Sequence, residues 1–162
     1  MDRYSISLWN YLKQFKNEKE NELTIDDRME MLEKIIDAVL AIQTKNYCHL
    51  DLKPSNILIN LDDDGKWNED LVLTDFGLSG TIDTAAGQCG TPGFGSPEQF
   101  LGKVHPKSDN YALAKVAVII LFPWNVAWDL LSKPVSNLQL ENENVQELQF
   151  YKSIVHLLHV RR

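Results

Sequence analysis

The chain has 162 residues, of which 44 % are hydrophobic and 24 % charged, and its formal net charge is −7. This length and composition are typical of one globular domain with a substantial core. The acidic balance argues against a nucleic-acid partner, because backbone phosphates require clustered Lys and Arg side chains. The longest apolar run, residues 116–124, is far shorter than the roughly 20 residues that span a bilayer, so we expect no membrane partner.

The cysteine content and the N-terminal sequence bear on the cellular compartment. Cys48 and Cys89 are too few for a disulfide framework, and both are typical of buried or half-buried thiols in a reducing compartment. The N-terminal residues are polar and amphipathic, unlike a secretory signal. We therefore predict an intracellular, cytoplasmic protein, although nothing in the sequence separates cytoplasm from nucleus.

Two amphipathic helices are predicted in the first part of the chain. The first spans residues 7–16 and places four apolar residues at helical spacing: Leu8, Tyr11, Leu12 and Phe15. The second begins at Thr24, with Asp27 as a capping-box-like partner, and ends near residues 45–46, just before His49. Its apolar face is expected to contain Met29, Leu32, Ile35, Ile36, Val39, Leu40 and Ile42.

A short hairpin is predicted next. Residues 56–59 and 71–74 have the composition of strands, and the acidic sequence at 62–65 turns the chain between them. The same turn fits the first positions of a calcium loop. However, the twelfth position is Leu71 rather than a bidentate Glu, and the flanks predict strands rather than helices. An acidic hairpin turn is therefore the better interpretation.

The most hydrophobic part of the chain predicts a core helix. Ser108 would cap this helix, which continues through Ile120. Pro123 should kink or end it. A polar connection at residues 137–149 and a last amphipathic helix at 150–159 complete the predicted elements.

Three motifs occur in order among these elements. Residues 49–56 read His-Leu-Asp-Leu-Lys-Pro-Ser-Asn, residues 75–77 read Asp-Phe-Gly, and residues 90–98 read Gly-Thr-Pro-Gly-Phe-Gly-Ser-Pro-Glu. They resemble the catalytic loop, the metal loop and the end of the activation segment (75–98) of eukaryotic protein kinases. The resemblance implies an α+β, protein-kinase-like fold, in which a mostly helical large lobe carries a short β-hairpin at the catalytic cleft. Residues 1–162 would form this C-lobe as a fragment of the kinase domain that begins at the hinge.

The small lobe of the family has no counterpart in the sequence. Nothing before Asp51 resembles the Gly-rich phosphate loop, the strand Lys or the helix Glu, and residues 1–4 resemble the hinge. By resemblance, His49 and Phe76 belong to the apolar stack between the lobes. We expect an exposed apolar surface there, covered by a small lobe or by a partner protein.

The resemblance implies a serine/threonine kinase that transfers the γ-phosphoryl group of ATP to protein hydroxyls with the help of Mg²⁺. Asp51 would accept the proton of the substrate hydroxyl, and Lys53 would place its ammonium against the transferring phosphate. Asn56 and Asp75 would hold magnesium. Leu58 would lie under the adenine ring and, with Lys53, Asn56 and Asp75, would bind ATP.

Three more residues have structural roles by the same resemblance. Thr91 would form hydrogen bonds near the catalytic acid and lysine. Glu98 would form an ion pair with Arg161 or Arg162. Asp109 would be a buried acid that braces the backbone of the catalytic loop.

One departure from the family concerns its phosphorylation switch. Leu50 replaces an Arg that normally pairs with a phosphorylated residue, and the usual phosphosite is Gly87. We hypothesise that phosphorylation of this segment does not switch the domain on. A stoichiometric phosphate at Thr81 or Thr84 that changes activity would contradict this hypothesis.

Two alternatives to a catalytic protein stay open. Leu50 and the missing small lobe favour an inactive pseudokinase or truncated paralogue that acts as a protein-interaction module. An incomplete gene product is the other alternative, because Met1 stands at a hinge-like position.

Overall fold

The structure is a computed structural model that describes residues 4, 6–15, 23–81, 89–105, 107–122 and 127. These residues form an α+β arrangement. In chain order its elements are β1 (Ile6–Ser7), α1 (Leu8–Gln14), α2 (Ile25–Gln43), β2 (Tyr47–Cys48), β3 (Ile57–Leu61), β4 (Trp67–Leu73), β5 (Gly80–Thr81), α3 (Pro97–Phe100) and α4 (Lys107–Leu121). Single 3-10 turns at Pro54–Asn56 and Phe76–Leu78 follow Asp51 and Asp75, respectively.

Both predicted N-terminal helices are present, and each begins at a side-chain cap. Ser7 caps α1 by accepting a hydrogen bond of 3.3 Å from Asn10 N. Thr24 and Asp27 form the predicted capping box, in which each side chain accepts from the backbone nitrogen of the other. These bonds satisfy amide donors that have no partner inside the helix.

The predicted apolar face of α2 is wrong in part. Met29 and Leu40 are 44 % and 40 % exposed, whereas Met31, which the prediction omitted, is fully buried. Met31 lies one turn before Ile35, on the core side of α2. Met29 precedes Met31 by two residues, which corresponds to a rotation of about 200° around the helix. Met29 therefore lies on the outer side. The helix also ends at Gln43, before the predicted residues 45–46.

A three-stranded antiparallel sheet contains the predicted hairpin. The strand order is β1-β3-β4, with Ile57 opposite Leu73. Both strands differ from their predicted bounds, since a 3-10 turn occupies the residues up to Asn56 and β4 extends back to Trp67. The acidic turn is confirmed: Asp62 accepts hydrogen bonds from Gly65 N to its carbonyl oxygen and from two other backbone nitrogens to its carboxylate.

A second pairing joins β2 to β5, with Tyr47 opposite Thr81 and Cys48 opposite Gly80. The sequence did not predict these strands, because two residues are too few to show alternation. The pairing connects the segment before the catalytic loop to the segment after the metal loop. It therefore fixes both loops on one side of the domain. Among the described residues neither cysteine forms a disulfide, and Cys48 is buried and Cys89 half-buried, as predicted.

The core lies where α2 packs against α4 on one side and β4 on another. The apolar positions of α4 from Ala112 onward are buried. Ser108 is not the N-cap predicted, because α4 already includes Lys107; its hydroxyl instead accepts a hydrogen bond from His105 N. Pro123 and the predicted segments at 137–149 and 150–159 lie outside the described residues. In the part of the chain that is described, no helix is long and apolar enough to cross a membrane.

Candidate active site

The backbone of the catalytic loop is bound to α4 through Asp109. Its Oδ2 accepts a hydrogen bond of 2.7 Å from His49 N, and its Oδ1 accepts one of 2.8 Å from Leu50 N. The side chain is buried, and this burial raises the pKa of Asp109 although the two backbone hydrogen bonds and the charge of His49 oppose the rise. A helix in the core therefore sets the position of the loop.

Leu50 has a left-handed backbone conformation with φ of 67°. This conformation is unfavourable for a bulky L-residue and persists only where the surroundings enforce it. The Leu50 side chain is 2 % exposed, so the position that holds Arg in the resembling family is here filled by a buried apolar group. It offers no charge for a phosphate. Of the phosphorylation positions considered above, Thr81 lies in β5, whereas Thr84 and Gly87 fall outside the described residues.

Three side chains converge on the carboxylate of Asp51. Lys53 Nζ lies 2.7 Å from its Oδ2, and the Thr91 hydroxyl donates to its Oδ1 at 2.6 Å. Thr91 Oγ1 also accepts a hydrogen bond of 2.8 Å from Lys53 Nζ, which closes a ring of three polar groups. The Asn56 amide donates to Asp51 Oδ2 at 3.1 Å. The structure thus brings together four residues selected from the sequence.

The environment of Asp51 favours its ionised form. Burial by itself would raise the pKa of this carboxyl group. The hydrogen bonds from Lys53, Thr91 and Asn56, together with the positive charge of Lys53, outweigh burial and lower the pKa below its ordinary value. Asp51 is therefore an anion at neutral pH.

Asn56 has a fixed amide orientation. Its Nδ2 lies 2.9 Å from the carbonyl oxygen of Asp51 and 3.1 Å from the Asp51 carboxylate. Both partners are acceptors, so the NH₂ group must face them. This leaves the Asn56 Oδ1 oxygen as a hard-oxygen ligand for a cation.

Asp75, the second predicted metal ligand, is exposed and has a left-handed backbone with φ of 62°. It directly follows Thr74, whose backbone nitrogen donates to Asn56 O at 2.9 Å. Among the described residues, no group of three or more His, Cys, Asp or Glu side chains could hold a metal. The carboxylate of Asp75 and the amide oxygen of Asn56 are donor types that suit Mg²⁺, which takes further oxygens from phosphate and water.

His49 connects the catalytic loop to the residue before the metal loop. Its Nδ1 accepts a hydrogen bond of 3.3 Å from Asp51 N, so in the neutral ring Nε2 carries the proton and donates to Thr74 O at 2.9 Å. The imidazole also packs against Phe76, with ring centroids 4.8 Å apart. Phe76 is still 48 % exposed, so one side of this stack is open.

Leu58 lies on the outer face of the sheet. Its neighbours Ile57 and Ile59 are fully buried in the core. Because side chains alternate along a strand, Leu58 points to the opposite face, where it is half-buried between Ser7 and Val72. A flat ligand could contact it there.

Two of the predicted structural residues belong to the segment at 90–98. Thr91 is held by a tight turn, in which its carbonyl oxygen accepts from Phe94 N at 3.0 Å and Gly95 N at 2.9 Å. Glu98 lies half-buried in the first turn of α3. Its predicted partners Arg161 and Arg162 lie outside the described residues.

Sequence reasoning missed two polar residues that hold this site together. Gln99 is 1 % exposed and donates from Nε2 to Leu50 O at 2.6 Å. Ser79 donates from its hydroxyl to His49 O at 3.0 Å. Neither residue is part of an apolar periodicity. Only the position of Gln99 directly after Ser-Pro-Glu could have indicated it.

Comparison with known proteins gives one family. A family model described as "Protein kinase domain" matches residues 4–158. Calcium/calmodulin-dependent protein kinase type 1 of Caenorhabditis briggsae and its namesake in Caenorhabditis elegans are each 35 % identical over 102 residues, or 60 % of this chain. The probable serine/threonine-protein kinase fhkE of Dictyostelium discoideum is 38 % identical over 78 residues, or 46 % of this chain and 11 % of that protein. The match covers 28 % of the two Caenorhabditis proteins.

Proposed function

The chain belongs to the protein kinase family, and on this basis we propose that it transfers the γ-phosphoryl group of ATP to Ser and Thr hydroxyls of protein substrates. The observation that carries the proposal is the geometry at Asp51, where Lys53, Thr91 and Asn56 converge on one carboxylate. Phosphoryl transfer depends mainly on positioning and charge neutralisation. The Asp51 carboxylate would position the hydroxyl, and the Lys53 ammonium beside it would neutralise charge.

The proposed step begins at Asp51. The substrate hydroxyl donates a hydrogen bond to the Asp51 carboxylate, which orients its oxygen toward the γ-phosphorus and accepts its proton. The new oxygen–phosphorus bond forms as the bond between the γ-phosphorus and the ADP oxygen breaks. Lys53 Nζ, 2.7 Å from Asp51, is close enough to neutralise negative charge on the transferring group. Thr91 holds the acid and the ammonium in register.

Magnesium would be held by Asn56 Oδ1 and the Asp75 carboxylate. The donor types fit, because Mg²⁺ prefers carboxylate and amide oxygens completed by phosphate and water. When bound, the ion neutralises charge on the ATP phosphates. The amide orientation of Asn56 supports this assignment, and so does the exposure of Asp75.

We further propose that a small lobe covers the other side of the ATP site, whether it comes from the same polypeptide or from another. Phe76 supports this proposal, since it follows Asp75, packs against His49 and is among the exposed large hydrophobic residues. Exposed apolar groups of this kind mark contact surfaces. Leu58 would contact the adenine ring from the large-lobe side.

The test is phosphorylation of peptides that carry Ser, Thr or Tyr acceptors by the full-length protein with ATP and Mg²⁺. The proposal predicts phosphoserine and phosphothreonine, and no product when Mg²⁺ is chelated. Asp51→Asn should abolish the reaction, whereas Asp37→Asn, on the exposed side of α2, should not. Equal rates in these two variants would remove the catalytic claim.

A second candidate function is a non-catalytic interaction module. Leu50 favours it, because this buried apolar residue removes one charge that the family normally uses in its switch. The exposed Phe76 gives a contact surface. This candidate predicts that a partner binds equally well to wild type and Asp75→Ala, without any effect of ATP. Binding that requires both ATP and Asp75 would contradict it.

A further inference from the structure

Gln99 is a buried amide with an unusual contact. It lies in α3, is 1 % exposed, and its Nε2 donates a short hydrogen bond of 2.6 Å to the carbonyl oxygen of Leu50. Glutamine is mostly a surface residue, and a buried polar group is stable only where its hydrogen bonds are made. The contact joins residues that are 49 positions apart in the sequence.

This bond completes a clamp on the strained residue of the catalytic loop. Asp109 holds the nitrogen of Leu50, and Gln99 holds its carbonyl oxygen. These two atoms belong to the two peptide planes on either side of the Leu50 Cα. Fixing both planes fixes φ and ψ of Leu50, including its left-handed φ of 67°. The second plane contains the nitrogen of Asp51.

We propose that Gln99 is a positioning residue, whose amide holds the Leu50 peptide so that the Asp51 carboxylate meets Lys53 and Thr91. The role rests on the proposed function of Asp51. In this role an uncharged, buried amide of α3 connects the catalytic loop to the end of the segment at 90–98. The connection is built into the fold and needs no phosphate.

Gly90 supports this assignment, because its backbone covers the bond between Gln99 and Leu50. Its φ is 105°, and a Cβ atom there would lie 2.5 Å from Gln99 Nε2 and 3.2 Å from Leu50 O. Only a glycine lets the chain pass this close. The next residue, Thr91, donates to Asp51. Gln99 therefore lies against both segments that reach the Asp51 carboxylate, the loop at Leu50 and the chain at Gly90.

The experiment measures the carboxyl signal of Asp51 and the carbonyl signal of Leu50 directly in the full chain, by carbon-detected NMR at neutral pH. Gln99→Met keeps the size of the side chain but removes the donor. Gln43→Met is the matched control, since the Gln43 amide also donates within the fold, to Asn110 Oδ1 at 2.9 Å. In Gln99→Met we expect the Asp51 carboxyl signal and the Leu50 carbonyl signal both to shift. The control should leave both unchanged.

Gln99→Glu tests the hydrogen bond by its protonation state and tests the positioning role by its effect on kcat. An ionised carboxylate cannot donate to Leu50 O, but a protonated one can. The Leu50 signal should therefore return toward its wild-type position as pH falls and the introduced group takes up a proton. With active protein, kcat of Gln99→Glu at neutral pH should fall about tenfold while KM for ATP changes little.

The proposal is overturned if Gln99→Met keeps the wild-type Asp51 and Leu50 signals, or if Gln43→Met shifts them equally. Unfolding of Gln99→Met would also overturn it, because Gln99 would then serve stability alone. These readouts do not depend on phosphoryl transfer. A failure of the proposed function would instead appear as equal activity of Asp51→Asn and Asp37→Asn.

Discussion

Asp109 Oδ1 accepts a hydrogen bond of 2.8 Å from the backbone nitrogen of Leu50, although 59 residues separate the two in the chain. The acid belongs to the core helix, and the amide belongs to the loop that carries Asp51. The stability of the core and the geometry of the site therefore depend on the same contact. A change at this buried acid should affect both.

Asp109→Asn should destabilise the domain. An Asn side chain can accept one of the two backbone hydrogen bonds, but its NH₂ group faces the other donor and leaves that donor unsatisfied. A buried backbone donor without an acceptor lowers the free energy of unfolding by about 2 kcal/mol. Urea denaturation measures this cost. Asp37→Asn, at an exposed site, should stay within about 0.5 kcal/mol of wild type, and equal stability of the two variants would contradict the bracing role.

The lowered pKa of Asp51 predicts a specific pH dependence of stability. A carboxyl group whose pKa is lower in the folded protein stabilises the fold above its unfolded pKa of about 3.9. That contribution is lost as pH falls through the folded pKa. The stability difference between wild type and Asp51→Asn should thus be constant near neutral pH and change below about pH 4. Urea denaturation at several pH values tests this, and parallel curves down to pH 2 would contradict it.

Thr91→Val should weaken catalysis without unfolding the domain. Valine has the shape of threonine but cannot donate to Asp51 Oδ1 or accept from Lys53 Nζ. We expect kcat to fall about tenfold, as for the loss of one hydrogen bond to a charged group, and the pKa of Asp51 to rise. Thr91→Ser should retain activity.

The control for this substitution is Thr44→Val. The Thr44 hydroxyl donates to Ala41 O at an exposed site and has no contact with Asp51. Steady-state kinetics on both variants give the two kcat values to be compared. If Thr44→Val lowered kcat as much as Thr91→Val, the effect could not be assigned to the ring of polar groups.

Cys48 should resist alkylation in the folded protein. Burial, with a smaller effect of the negative charge on Asp109, raises the pKa of its thiol to about 11. At pH 8 such a thiol has about two orders of magnitude less reactive thiolate than an ordinary cysteine. Iodoacetamide followed by peptide mapping should therefore modify Cys89, which is half-buried, before Cys48. Equal rates in native protein would contradict the buried placement; in denaturant, equal rates are expected.

The local elements were predictable where a short pattern determines them. The capping box of Thr24 and Asp27 and the turn at Asp62 depend on residues within a few positions of each other. The outer face of α2 was not predictable in detail. Met29 and Met31 are equally hydrophobic, and only the packing of α2 against α4 and β4 decides which of them is buried.

The candidate site, too, was predictable only where its residues are close in sequence. Asp51, Lys53 and Asn56 are close in sequence and could be selected from their motif. Their common contact with Thr91 depends on how two distant segments meet. Gln99 was not selected, because its hydrogen bond is made to the backbone of Leu50, and no sequence pattern reports a left-handed conformation at a leucine.

Whether Asp51 is catalytic is decided by the initial rate of γ-phosphoryl transfer from ATP to a Ser-containing peptide, compared between full-length wild type and Asp51→Asn. Both proteins must first show the same thermal unfolding midpoint and the same Mg²⁺-dependent ATP binding. The proposed role of Asp51, to position the hydroxyl and accept its proton, predicts that the rate falls by at least about a hundredfold in the variant. An unchanged rate in Asp51→Asn would contradict it.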